Sequence, residues 1–317
     1  MPQSRAGETA FSKCAKSPVR HNPDCGIMSY RIEKGEGLAE ALGRIAAEEM
    51  DVVRKELRRN RGESVHSARK AIKRLRALLR SLRVAFAKNL FQAENRCLGK
   101  AGRTISPLRD LEVQLRTLGK LRAARNPAGG KMRSDLLGRQ KNFARKVPAL
   151  RRAVRRMLGD SGLTIKSWPL DKTTPASLAA GLKRIYKQGR GAFCNARKNP
   201  TPDNLHEWRK KAKTLGFGFE LIERMVPKEF LKRMKFCQTL GEVLGDDHDL
   251  FMVLQALRQA NHAKRAGDYA ELARRISAKR AKLRKRAFKL GKRIYGEKPR
   301  ALARRLDWHL RNKIGES

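Results

Sequence analysis

The sequence predicts an all-α protein built by an internal duplication that presents two matched basic surfaces. Three observations carry that reading. Apolar residues recur in alternating steps of three and four, and no convincing strand alternation occurs. The segment Val65 to Phe86 recurs 140 residues later. Its apolar or small positions Val65, Ala68, Ile72, Leu75, Leu79, Leu82 and Phe86 superpose on Leu205, Trp208, Ala212, Leu215, Phe219, Ile222 and Val226. Finally, LRDLEVQLRTL at 108–118 aligns with HDLFMVLQAL at 248–257, an offset of 139 that sets Asp110 over Asp249 and Leu111 over Leu250. Two matches at nearly one offset mark a repeat.

Residues 1–27 hold prolines, Ser, Asn and two Cys without helical period, and are expected to be a disordered extension before patterned sequence begins at Met28. From Gly37 onward, segments bounded by Pro, Gly or Asn read as helices at 37–59, 63–86 (the first matched stripe), 89–104, 107–123 (opening at Pro107) and 131–158. The stretch SGLTIKSWPLDKTTP at 161–175 has the turn residues and polarity change of a connector. Residues 28–160 are therefore expected to form the first half, 161–174 the connector and 175–317 the second half. There, helices at 175–197, 203–225 (the second stripe), 228–244, 247–264 (after Gly245) and 268–295 mirror the first five, and a short helix near 300–313 ends the chain.

Seventy-five Lys and Arg against thirty Asp and Glu give a net charge of +45 and a pI near 11.2. Such a field concentrates polyanions: nucleic acid, polyphosphate, anionic lipid or acidic protein. Ser64–Arg83 holds seven bases and no acid, Leu136–Gly159 eight and none, and the stretch between Glu271 and Glu297 eleven and none, so pairing within these helices is not their main purpose. No stretch approaches the ~18 apolar residues of a membrane span, and no signal peptide is apparent, which gives a soluble cytoplasmic expectation. Five scattered Cys without a C-x-x-C pair fit reduced thiols and make zinc a poor fit. The pattern specifies no oligomeric state.

His66, Arg69, Lys70 and Lys73 share one flank of the first stripe, and His206, Arg209, Lys210 and Lys213 repeat the arrangement. Arg76, Arg80 and Arg83 extend the first. Forked Arg donors mixed with mobile Lys charges suit a ligand of many equivalent phosphates, such as a phosphate chain. Each histidine fits two roles equally, a partly buried residue orienting the helix start or a phosphate donor; a metal ligand is a poorer fit, with no second His one turn away. Asp110 and Asp249 are expected in the first turn of a helix, as caps or as carboxylates orienting a basic side chain. The cluster Asp246, Asp247, His248, Asp249 is a weak magnesium signal, since the first half offers only Arg109 and Asp110 there.

No H-E-x-x-H, G-x-x-x-x-G-K-[ST] or G-x-S-x-G string is present, nor any cofactor signature, so a binding protein is expected and not an enzyme. Aromatic residues make up only 6%, too few for base stacking on single strands, though phosphate-only contact with a duplex stays open. The rival readings are a nucleic-acid or ribosome-associated basic protein and, more remotely, a metal-dependent phosphohydrolase using the cluster near Asp247.

VHSARKAIKRLRALLRSL and LHEWRKKAKTLGFGFELI resemble the two histidine-bearing helices of CHAD domains, the conserved histidine α-helical domains. SPLRDLEVQL and LGDDHDLFMVL resemble that family's paired Asp-containing segments, and the likeness runs from about Ser29 to the C-terminus. The resemblance implies two pseudosymmetric four-helix bundles with basic helices lining a central groove or pore, inorganic polyphosphate as ligand, and a place at polyphosphate granules. Nucleic acid then enters only as a non-specific competitor. The implied ligands are His66, Arg69, Lys73, Arg74 and Arg76 in one half and His206, Arg209, Lys210 and Lys213 in the other, with Arg109 and Asp110 on the family's Arg-Asp pair. Thr214 and Gly216 stand where Arg74 and Arg76 stand, so the second half offers fewer cations. The Glu-x-Glu-x-Lys signature of the CYTH-type triphosphate tunnel enzymes sometimes fused to the family is missing from this sequence.

Overall fold

The computed structural model describes residues 30–59, 62–121, 127–159, 165–260 and 266–314, with backbone alone at 62–63, 108–110, 127–129, 258–260 and 266–269. The expected N-terminal extension, 1–27, lies outside the described residues, as does the start of the connector, 161–164. The α-helices are α1 (Leu38–Arg58), α2 (Gly62–Ser81), α3 (Lys88–Thr104), α4 (Ser106–Lys120), α5 (Pro127–Gly159), α6 (Pro175–Lys198), α7 (Pro202–Leu221), α8 (Lys228–Ala260), α9 (Ala266–Tyr295) and α10 (Pro299–Ile314). No strand occurs among the described residues, so the fold is all-α.

Local chemistry sets several boundaries. α6 and α7 both open on Thr followed by Pro. Thr174 and Ser177 form a reciprocal capping box, and Thr201 Oγ1 accepts the Asn204 N–H at 3.2 Å. Pro175 and Pro202 take the first helical position, where a missing N–H is harmless. α2 stops at Ser81, short of the expected 86, because α6 lies against its end: a Cβ placed on Gly181 would sit 1.7 Å from the Ser81 carbonyl oxygen. The chain then turns and returns Phe86 to the interior.

The expected break at 245–246 does not exist. α8 runs unbroken from Lys228 to Ala260, whereas the aligned stretch of the first half breaks at Ile105, just before Pro107 at the start of α4. Proline costs about 3 kcal/mol in a helix interior and Gly only about 1, so packing overrides Gly245 and Asp246 but not Pro107.

Two apolar clusters hold the helices together. The larger takes residues from α1 to α3 and α5 to α10, together with Trp168 of the connector. Trp168 is buried, lies edge-on to Phe86 and donates Nε1–H to Glu94 at 3.3 Å, so the described part of the connector is packed into the body. The smaller cluster joins α4, α5, α8 and α9 through residues such as Leu111, Leu136, Leu254 and Ile276. α8 feeds both, Phe230 to Leu244 into the larger and Leu250 to Leu257 into the smaller.

Candidate functional site

α2 packs against α7, and the two run antiparallel: Arg74 reaches Glu220, while Arg80 Nη1 donates to Thr214 Oγ1 at 3.3 Å. The crossing therefore falls near Ala77. On both helices the apolar stripe turns inward, and His66, Lys70, Lys73 and Arg80 of α2, like His206, Lys210 and Lys213 of α7, occupy the opposite arc.

In the second half, His206 Nδ1 is buried without a hydrogen-bond partner, and its ring lies 4.8 Å, centroid to centroid, from that of His248 on α8. Desolvation, then His248, Lys210 and Arg209, push the His206 pKa down to about 4, against a small opposing pull from Glu207. Arg209 Nε donates to the Gly241 carbonyl at 3.0 Å. Gly241 and Gly245 are one turn apart on α8; a Cβ at Gly241 would lie 2.9 Å from Lys213 Cε and one at Gly245 2.9 Å from Arg209 Nη2. Those glycines let two cationic stems lie flat on α8. The sequence places His248 only in the acidic cluster weighed for magnesium, although the 139-residue offset also lays it on Arg109.

In the first half, Arg69 Nη1 donates to the Ser106 carbonyl at 3.2 Å, at the mouth of α4. Arg76 turns toward α3, donating to Asn95 Oδ1 at 3.3 Å, and its pKa is lowered to about 10 by burial, then by Arg80 and Arg103. Burial also lowers Arg80, which Glu207 partly offsets, and burial followed by Arg74 lowers Lys70. The side chains of Arg109 and Asp110 lie outside the described residues.

Arg74 is committed elsewhere. It bonds Glu49 of α1 at 2.9 Å and Glu220 of α7, and its guanidinium lies 5.0 Å from the centre of the Tyr30 ring. Desolvation opposes its charge, yet Glu220 and Glu49 raise its pKa overall. The Glu49 carboxyl is pushed up, because burial costs it more than Arg74 returns. Arg74 thus ties α1, α2 and α7 together.

The carboxylates also differ from expectation. Asp249 lies well inside α8 and caps nothing, and Asp110 falls beyond the first turn of α4. Asp247 is buried and accepts from Arg280 at 3.0 Å and Arg284 at 3.2 Å, both on α9. Its oxygens hold arginines, which removes the basis of the magnesium reading. Among the described residues, no group of three or more His, Cys, Asp and Glu is placed to hold a metal, and no helix is long and apolar enough to cross a membrane.

The low His206 pKa has a stability consequence. The folded protein binds fewer protons than the unfolded chain between pH 6.5 and about 4, so stability is lost as pH falls through that window. Urea titrations should show His206→Gln flattening this loss; an unchanged slope would mean the imidazole is not held neutral.

The CHAD domain family matches residues 36–259. Among solved structures, the crystal structure of the CHAD domain from the plant Ricinus communis is similar with a TM-score of 0.57 at 16% identity, covering 88% of this chain and 95% of that one. PptA from Streptomyces chartreusis is similar with a TM-score of 0.52 at 16% identity, covering 84% of this chain and 98% of that one. At these identities the likeness to the solved structures is one of fold. No curated protein matches the chain.

Proposed function

The chain belongs to the CHAD domain family, and from that premise we propose that it binds inorganic polyphosphate, without catalysis, in a basic groove walled by α2 and α7. One observation carries the reading. Lys70, Arg76, Arg80 and His206, on two crossing helices, all have their charged forms disfavoured by burial, and all but Arg80 by neighbouring cations as well. A chain of phosphates laid between the helices relieves that repulsion and supplies acceptors to many donors at once.

The proposed contacts are His66, Arg69, Lys70, Lys73, Arg76, Arg80 and Arg109 from one half and His206, Arg209, Lys210 and Lys213 from the other. Arg74, with Asp110 and Asp249, acts by positioning. Two contacts support the duplication behind this arrangement: the 140-residue shift carries position 74 to 214 and 80 to 220, so Arg74–Glu220 and Arg80–Thr214 exchange places. The halves would be 28–160 and 175–317 with 161–174 between them, and the protein would work in the cytoplasm at polyphosphate granules.

The test is binding of long-chain polyphosphate at near-physiological salt. Arg69→Glu with Lys73→Glu should weaken it by at least about tenfold more than Arg274→Glu with Lys279→Glu, as loss of direct phosphate contacts does. Duplex DNA and RNA in large excess, at matched phosphate, should fail to displace it. Equal losses from both variants, or competition on equal terms, would leave net charge as the whole explanation.

A further inference from the structure

We propose that the outward face of α9 is a second polyanion surface, separate from the α2/α7 site, that docks the phosphate backbone of duplex nucleic acid. Between Arg274 and Arg293 the helix has nine exposed Lys and Arg. On a helical wheel they fall within an arc of about 140°. Among the described side chains, only Arg274 of these nine meets a carboxylate, Glu271, one turn back. The chain does provide acids for this helix, but on its other side, where Asp247 takes Arg280 and Arg284. The cations of α9 are thus sorted into two that share one buried carboxylate inside and an outer row of nine in which, among the described side chains, Arg274 alone is paired.

The two cationic surfaces lie back to back. Trp208, on the face of α7 opposite His206 and Lys213, stacks on Phe288 of α9 at 5.6 Å between centroids, and a Cβ at Gly291 would lie 2.7 Å from Trp208 Cζ2. The core-facing side of α7 therefore meets the core-facing side of α9, and a ligand between α2 and α7 has α7 itself between it and the α9 row.

The shape of the row favours a rigid partner. Twenty helical residues extend about 28 Å in a straight line, over which a duplex presents roughly sixteen phosphate charges at one per ~1.7 Å. Lipid insertion lacks its equipment, because the large apolar residues of α9 are buried in or packed against the two clusters, and the large exposed apolar side chains among the described residues, Val84, Leu137 and Trp308, all lie on other segments.

The experiment measures binding of the full chain to DNA and RNA duplexes of about 20 base pairs and to phosphatidylserine vesicles over a salt series. Lys279→Gln, Lys282→Gln, Lys285→Gln and Lys289→Gln combined should cut affinity for both duplexes at least about tenfold. They should also make the slope of log affinity against log salt shallower by about three to four. Polyphosphate affinity should change less than about twofold in that variant, and stoichiometric polyphosphate, enough to fill the α2/α7 site alone, should leave duplex binding intact. Duplex affinity unchanged in the variant, duplex binding lost instead on Arg69→Gln with Lys73→Gln, or a loss confined to vesicles would each overturn the proposal. None of these depends on whether the α2/α7 site takes polyphosphate, which the Arg69 and Lys73 variant reports by itself.

Discussion

Arg74→Ala should destabilise the protein by about 2–4 kcal/mol, between the values for exposed and fully buried ion pairs. The side chains of Arg74, Glu49 and Glu220 keep 19%, 9% and 21% exposure, enough burial that water does not replace a lost partner. Removing the arginine leaves two carboxylates facing each other across the junction of α1, α2 and α7. The sign with pH follows. Glu49 already has a raised pKa, and losing Arg74 raises it further; a carboxyl with a raised folded pKa contributes its stability at low pH and loses it as pH rises through that value. The deficit of the variant should therefore be smaller near pH 5 than near pH 7.5 in denaturant titrations. Arg74→Leu combined with Glu49→Leu and Glu220→Leu should recover most of the loss, since apolar packing can replace a buried triad. A loss below about 1 kcal/mol for Arg74→Ala would show that the triad is solvated and does not hold the helices.

Gly181→Ala should be at least as damaging, at or above the roughly 3 kcal/mol upper end for overpacking. The obstacle is the Ser81 backbone carbonyl, which no rotamer change can move aside, so α6 must retreat from the end of α2. Leu182, the next residue, lies against Gly218 of α7, where a Cβ would meet Leu182 Cδ2 at 2.7 Å. The retreat would thus disturb both basic helices. Gly191→Ala is the control on the same helix: it is exposed, nothing lies within 4 Å of its Cβ position, and the exchange should stabilise by about 0.5–1 kcal/mol. Thermal and urea unfolding of the two variants should move in opposite directions; matching shifts would mean the approach of α6 to α2 is loose.

Much of this architecture was legible in the sequence because it depends on period. The stripes from Val65 and Leu205 are buried as the spacing required, except that Val226 is only partly covered, and the Thr-Pro starts of α6 and α7 follow from capping chemistry. What stayed hidden depends on partners distant in sequence. A helical wheel puts Arg74 next to Lys70 and says nothing of Glu49 or Glu220, which are 25 and 146 residues away. The resemblance implied Arg74 as a ligand, and only the fold brings it to Glu49 and Glu220. Gly245 and Asp246 look like a helix end by propensity, but Gly245 is buried beneath Arg209, and tertiary packing decides the matter. The bases of α9 seemed to lack acids because only their own helix could be inspected, while Asp247 waited on α8.

Continuity of α8 makes the molecule mechanically lopsided. Its 33 residues form a beam of about 50 Å that enters the larger apolar cluster at one end and the smaller at the other. In the first half the matching path is two shorter helices meeting at Ile105. Displacing α4 against α3 bends a joint whose helical hydrogen bonds are already interrupted; displacing the end of α8 means breaking a ladder. Compliance is thus concentrated beside Arg69, and stiffness beside Arg209 and His206. A phosphate chain entering between α2 and α7, as proposed, would meet one yielding jaw and one fixed anvil, with shape adaptation and register shared out between them.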